Sequence, residues 1–295
     1  MTDHTIKDVA TASLVTPVSD QVQAMANYIT AQSVDGGAVC SVLLYGSGLW
    51  QKSGADDCIY DFQVLVKSYH AYDGNWFLAA LGAVLPPNVY YAEIEHNGQT
   101  LRFKYNVMRE SQFVHAAKGR SFTPAIWARY AQPSRLVYYK DQTHKDKMGA
   151  AISACLHSFF DRTARLKDAG TLVKDSRSFW TAGLSATYQD EMRSEAKNRP
   201  QLIYEAAPDY YDAVFDVMKP CALPYASSRK ILRPLRKAAA LCRVIKGALT
   251  FENGVDYALW KVERHSGVKE IATPFQKKYP LIAGWPLLWR LYRKG

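Results

Sequence analysis

The spacing of apolar positions divides this chain into a strand-rich first part and a helix-rich second part. The first dozen residues read as a loose terminus. Val18 to Gln32 then carries apolar residues at helical spacing and predicts a helix that covers a sheet. Val39 to Tyr45 is a compact apolar run that ends directly in Gly46-Ser47-Gly48, a strand entering a tight turn. A second strand, Ile59 to Val66, follows about a dozen residues later. Asn75 to Val84 reads as a short helix stopped by Pro86-Pro87.

Two alternating segments come next, NVYYAEIEH and TLRFKYNVM, separated by Asn97-Gly98. That dipeptide between alternating runs predicts a β-hairpin, because both turn positions need a positive φ. A helical stretch, TPAIWARYA, precedes a last strand, RLVYY. The order of elements predicts an α/β (α+β) mixed sheet without a regular βαβ repeat, followed by a mostly helical region. On this reading residues 15–142 form the sheet domain, 143–265 a helical domain, and 266–295 a basic, aromatic tail.

Charge narrows the class of partner. The chain carries a formal net charge of +10, which favours phosphate-bearing substrates, an anionic membrane surface or nucleic acid. No acid occurs between Val217 and Phe251, but eight bases do: Lys219, Arg229, Lys230, Arg233, Arg236, Lys237, Arg243 and Lys246. This segment is read either as a phosphate- and leaflet-attracting surface or as a solvated helix face. The tail mixes Trp285, Leu287, Leu288, Trp289, Leu291 and Tyr292 with Arg290, Arg293 and Lys294. It fits either an interfacial helix or a terminal helix docked on the core.

Five scattered cysteines without Cys-x-x-Cys spacing predict reduced thiols, and the histidines show no metal spacing. No run reaches the ~18–20 apolar residues of a spanning helix, and the start lacks the pattern of a secretory signal.

The chemistry centres on LLYGSGLWQKSGADDCIYDFQVLV. Glycines at a strand end let backbone N–H groups and the Ser47 hydroxyl approach a triphosphate closely. Asp61 on the next strand is placed to hold a magnesium ion bridging those phosphates. Strand, Gly-Ser turn and strand carboxylate together resemble the nucleotidyltransferase superfamily. That superfamily usually carries a second carboxylate two residues on, where this chain has Gln63. Asp57, Glu93, Glu95 and Glu110 are candidates to complete the metal site.

Several segments, in order, resemble a narrower group, the mitochondrial translocator assembly and maintenance family of phosphatidate cytidylyltransferases. These are YGSGLWQ with DFQVLV, LRFKYNVM, ARYAQPSRLVY, AGLSATYQDEMR and IKGALTFENGVDYALWKVERH, together covering about residues 38 to 265. The chain departs from the family pattern at Asn106, where the family has Gly. The resemblance implies Mg²⁺-dependent conversion of CTP and phosphatidic acid into CDP-diacylglycerol and pyrophosphate. It implies nucleotide binding by Tyr45, Gly46, Ser47, Gly48 and Gln51, and catalysis by Asp61 and Lys104. It also implies phosphate or substrate contacts from Arg129, Glu191 (or Asp190), Arg193 and Lys246.

The expected setting is cytoplasmic, peripheral on the inner face of a cell membrane, with no nucleic-acid partner. Two alternatives remain open: nucleotidyl transfer to a small molecule, protein or RNA, and a catalytically silent nucleic-acid-binding protein. Against the second, the bases do not interleave with aromatics in the manner of a known RNA-binding sheet.

Overall fold

The computed structural model describes residues 2–50, 59–121, 123–166, 174–191, 198–218, 246 and 272–278. Helix α1 (Thr2–Leu14) and helix α2 (Asp20–Ala31) precede strand β1 (Val39–Tyr45), a 3-10 turn at Gly46–Leu49 and strand β2 (Ile59–Val66). Helices α3 (Tyr69–Asp73) and α4 (Trp76–Val84) lead to the hairpin of β3 (Asn88–His96) and β4 (Gln99–Arg109). Helices α5 (Glu110–Ala117) and α6 (Ala125–Tyr130), strand β5 (Ser134–Tyr139) and the long helix α7 (Gln142–Thr163) follow. Further helices among the described residues are α8 (Ser176–Glu191), α9 (Arg199–Glu205), α10 (Pro208–Met218) and α11 (Pro274–Lys278).

The five strands form one mixed sheet in the order β3-β4-β2-β1-β5. β4 lies parallel to β2, and the other three pairings are antiparallel. The mixed α/β class and the hairpin are as the pattern predicts. Asn97 and Gly98 take φ values of 51° and 75°, the two positive angles that a tight hairpin turn requires.

Both faces of the sheet are covered. Strand β1 is buried along its whole length, as expected of a strand between two helical layers. Tyr28 of α2 packs edge-on to Phe103 of β4 at 5.6 Å. On the opposite face α5, α6 and α7 close over the sheet, with Phe113 and Tyr130 meeting edge-on at 4.9 Å. Asp141 caps α7 by accepting the backbone N–H of His144, satisfying a donor that the first helical turn leaves over.

The first dozen residues are a helix rather than a loose terminus. Ile6, Ala10 and Leu14 recur every four residues and bury fully as α1 packs on α7, α10 and β5. Residues on both sides of position 142 contribute to one apolar core: Phe159, Phe160, Phe179, Trp180 and Tyr211 join the aromatic side chains of the sheet region. The basic segment, apart from Lys246, and the tail after Lys278 lie outside the described residues. Among the described residues, no helix is long and apolar enough to cross a membrane.

Candidate functional site

A single row of directly paired residues crosses the whole sheet: Ser134 on β5, Tyr45 on β1, Asp61 on β2, Lys104 on β4 and Tyr91 on β3. Directly paired residues project from the same face, so register alone brings Tyr45, Asp61 and Lys104 side by side. Lys104 Nζ stands 2.8 Å from Asp61 Oδ1, and both side chains keep about a quarter of their surface exposed (30% and 24%). The carboxylate is therefore held, yet still open to a ligand.

The turn after β1 completes this corner. Gly46 adopts φ +80°, in the left-handed region where glycine is favoured. A Cβ built on Gly46 would meet Asp61 Oδ2 at 3.4 Å, so the bare backbone of the turn passes beside the carboxylate. Gly48 is buried against Tyr60, where a Cβ would come within 2.9 Å of the ring. The glycines thus press the turn onto Tyr60 and Asp61, the second and third residues of β2. Gly48 shapes the turn from behind, while Gly46 and Ser47 face the open space.

One step deeper on the same face lies a second paired row containing Leu43, Gln63 and Asn106. Here polar groups satisfy one another. Gln63 donates to the Asn106 carbonyl at 2.8 Å and receives the Tyr130 hydroxyl at 3.4 Å. Asn106 in turn donates to the Tyr45 hydroxyl at 2.7 Å. Gln63 is only 2% exposed, so it stands beneath the site and braces it, away from any position where it could touch a metal. Through its hydrogen bond to the phenol, Asn106 positions Tyr45. Burial, reinforced by the nearby Asp61 carboxylate and opposed by Arg129, pushes the Tyr45 phenol above its ordinary range and keeps it neutral. The Tyr45 ring is sandwiched edge-on by Tyr130 and capped by the Arg129 guanidinium, each at 5.3 Å.

This corner opens into a cavity of about 520 Å³, within the range of small-molecule sites. Asp61, Lys104, Arg129 and Arg199 supply its charge, with three bases to one acid among the described residues. An apolar wall comes from α9, through Leu202, Ile203 and Ala206, with Tyr188 of α8 and Trp50 of the turn also lining the cavity. The cavity therefore joins the Asp61–Lys104 pair of the sheet to two helical guanidinium groups, Arg129 of α6 and Arg199 of α9, and to apolar side chains of α9.

The structure brings together Tyr45, Gly46, Ser47, Asp61, Lys104 and Arg129 from the residues expected from sequence. Gln51 and Arg193 lie outside the described residues, as do the side chains of Asp190 and Glu191. Lys246 is placed elsewhere. Its ammonium donates to the carbonyls of Leu85 (2.6 Å) and Pro87 (2.9 Å) and is 5% exposed, which makes it a brace for the loop before β3. Sequence reasoning gave Asn106 no role in the site and missed Trp50, Tyr188 and Arg199. The last two come from helices far along the chain, and no local pattern marks them.

Among the described residues, the candidate supplementary carboxylates Glu93, Glu95 and Glu110 have other partners and do not line the cavity with Asp61. Glu95 accepts from Thr100 at 2.5 Å on the hairpin. Glu93 accepts from Tyr91 at 2.7 Å and has Arg102 at 3.5 Å. Glu110 is held by His144 at 2.6 Å and Lys147 at 3.0 Å, at the far end of β4. Cys40, Glu110 and His144 do bring potential metal-ligating atoms within 4.8 Å of one another. Both Glu110 oxygens already have partners, however, and the cluster works as a tie between the starts of α5 and α7. Asp57 lies outside the described residues.

No known protein-family model matches the chain, and no curated protein matches it either.

Proposed function

We propose that the protein transfers a nucleotidyl group from a nucleoside triphosphate, with CTP the favoured donor and phosphatidic acid the favoured acceptor. One observation carries this reading: the Asp61–Lys104 pair sits against a glycine turn, in a cavity also lined by Arg129, Arg199 and apolar side chains of α9.

The donor set suits magnesium. Magnesium in phosphate chemistry is commonly held by one or two carboxylates together with substrate phosphates and water. Asp61 is the one carboxylate lining the cavity among the described residues, and its Oδ2 faces the turn where a triphosphate would lie. When bound, the ion would neutralise charge on the phosphates and polarise the α-phosphorus. The protein's own residues supply position and field. The Gly46-Ser47 backbone offers close approach to the donor's phosphates without a side chain in the way. Lys104 is placed to follow negative charge as it moves toward the leaving pyrophosphate, and Arg129 and Arg199 add positive potential for a second phosphate. The acceptor's phosphate oxygen attacks the α-phosphorus, and the bond to the pyrophosphate oxygen breaks. Little covalent work falls to the chain, because alignment and charge neutralisation lower the barrier.

The apolar wall favours an acceptor that carries hydrocarbon beside its phosphate. Leu202, 47% exposed at the cavity, would contribute nothing to a purely polar acceptor. The test is equilibrium binding and turnover of Mg²⁺–CTP by the wild type and Asp61→Asn, with phosphatidic acid in mixed micelles as acceptor. The reading expects CTP-dependent lipid product from the wild type, and at least a ~100-fold loss in the variant. CTP binding without lipid product would move the reading to another acceptor. The absence of both would refute it.

A further inference from the structure

Helix α4, none of whose residues lines the cavity, has an unusual exposed face. Trp76, Phe77 and Val84 are 76%, 66% and 78% exposed, and Ala80 and Ala83 are exposed between them. At ~100° per residue these five positions fall within a sector of roughly 120°. The opposite side of the helix meets the protein: Gly82 lies so close to the Tyr69 ring that a Cβ would come within 2.6 Å. The helix is thus seated by one face and bare on the other. Its anchoring is firm, since Asn75 caps it by accepting from Phe77 and Leu78, and Gln112 donates to the Ala83 carbonyl. The His70 ring lies over Trp76 at 4.1 Å, holding the indole at the helix start.

Charge sets this face apart from an ordinary exposed apolar patch. No Asp, Glu, Lys or Arg occurs between Asp73 and Glu93. Nothing ionised on the helix would have to be stripped of water if this face entered an apolar medium. Asp73, the nearest acid before it, is already engaged by Tyr90 (2.5 Å) and Asn88 (3.2 Å). Trp and Phe at one end of a short, anchored apolar helix are the side chains suited to the zone between headgroups and acyl chains.

We propose that the exposed face of α4 is a docking surface for an anionic lipid bilayer, into which Trp76 and Phe77 insert. The net charge of +10 draws the protein toward a negative leaflet and repels a second copy of itself. The size of the face argues the same way. A nine-residue helix is about 13 Å long. At 76% and 66% exposure of at most ~250 Å² each, the two aromatics offer under ~360 Å², and one valine and two alanines do not raise that to the ~800 Å² per partner typical of a stable protein interface. A bilayer sets no such minimum, because insertion and charge attraction add. The lipid acceptor proposed above supplies a reason for such docking, but the surface stands on α4 itself.

The test measures binding of the full chain to vesicles, without nucleotide and without phosphatidic acid, so that it is independent of catalysis. Vesicles of phosphatidylcholine alone are compared with vesicles of phosphatidylcholine and phosphatidylglycerol, by co-sedimentation and by tryptophan quenching from brominated acyl chains. The wild type is expected to bind the anionic vesicles and to be quenched. Combined Trp76→Ser and Phe77→Ser, checked for an unchanged melting temperature, should weaken binding at least about tenfold. Trp76→Phe should keep the binding and lose part of the quenching, a readout that does not depend on the double variant folding. Wild-type-like binding by a folded double variant, or quenching unchanged in Trp76→Phe, would overturn the proposal. So would failure of the wild type to bind, or lipid-free dimerisation that the double variant abolishes.

Discussion

Lys104 Nζ lies 2.8 Å from Asp61 Oδ1, across directly paired positions of two parallel strands. The pairing follows from backbone register, so the ammonium and carboxylate are brought together by the sheet itself. Preorganisation of this kind is what a phosphate-transfer site needs, because the charges stand in place before the reaction starts. Asp61 Oδ1 is shielded from solvent, which makes Lys104 its chief compensation.

Lys104→Met should therefore act on catalysis more than on nucleotide affinity. The expected outcome is a fall in kcat of about 100-fold or more, with a smaller change in KM for the nucleotide, measured by steady-state kinetics. Lys104→Arg keeps the charge and should recover part of the loss. Equal effects of Met and Arg would mean that the position matters for packing alone.

Gln63 lies two residues beyond Asp61 on β2, on the same face of the sheet. Placing a second acid there should fail. Gln63→Asp places a charge among buried groups with no cation beside it and breaks the donation to the Asn106 carbonyl. A loss of about 3–5 kcal/mol is expected, read from urea denaturation, with no gain in magnesium affinity. Tighter magnesium binding by a stable variant would show that Gln63 does reach the metal.

Lys246 separates a bracing role from a phosphate-binding one. Lys246→Met removes the donor to the Leu85 and Pro87 carbonyls, and about 1–3 kcal/mol of stability should go with it. The KM for CTP should stay within about twofold once the protein is assayed below its melting point. A large rise in that KM with unchanged stability would return Lys246 to the site.

Cys40 offers a check on the core. Burial, with the Glu110 carboxylate adding to it, pushes the thiol up from 9.0 to about 11. Because the folded value is the higher one, folding favours the protonated thiol. That contribution is complete below pH 9 and is lost as pH rises from about 9 toward 11. Iodoacetamide at pH 8 should label Cys40 slowly in the native protein and rapidly in urea, as followed by peptide mass spectrometry. Fast native labelling would contradict the burial of Cys40 in β1.

The sheet core and its turn could be read from local pattern, because each depends on neighbouring residues. An apolar run entering Gly-Ser-Gly, and Asn-Gly between alternating segments, state their geometry directly. Asp61 and Lys104 could be named as chemical types, but their contact depends on parallel pairing of β2 with β4, which no local pattern encodes. The same holds for Tyr188 and Arg199, which reach the cavity only because α8 and α9 fold back over the sheet. Gln63 reads as a possible ligand in a linear motif and becomes a brace once the row of residues above it is known. Helix α1 was legible in the four-residue spacing of Ile6, Ala10 and Leu14, but its polar, threonine-rich context masked that signal.

The most direct test of the central claim follows where each phosphate of the donor goes. CTP labelled at the α-phosphate, and separately at the γ-phosphate, is incubated with the protein, Mg²⁺ and phosphatidic acid in micelles, alongside Asp61→Asn. Nucleotidyl transfer predicts α-label in the organic phase, γ-label released as pyrophosphate, and neither product from the variant. Label from the γ-phosphate in the lipid, or α-label transfer undiminished in Asp61→Asn, would contradict the account.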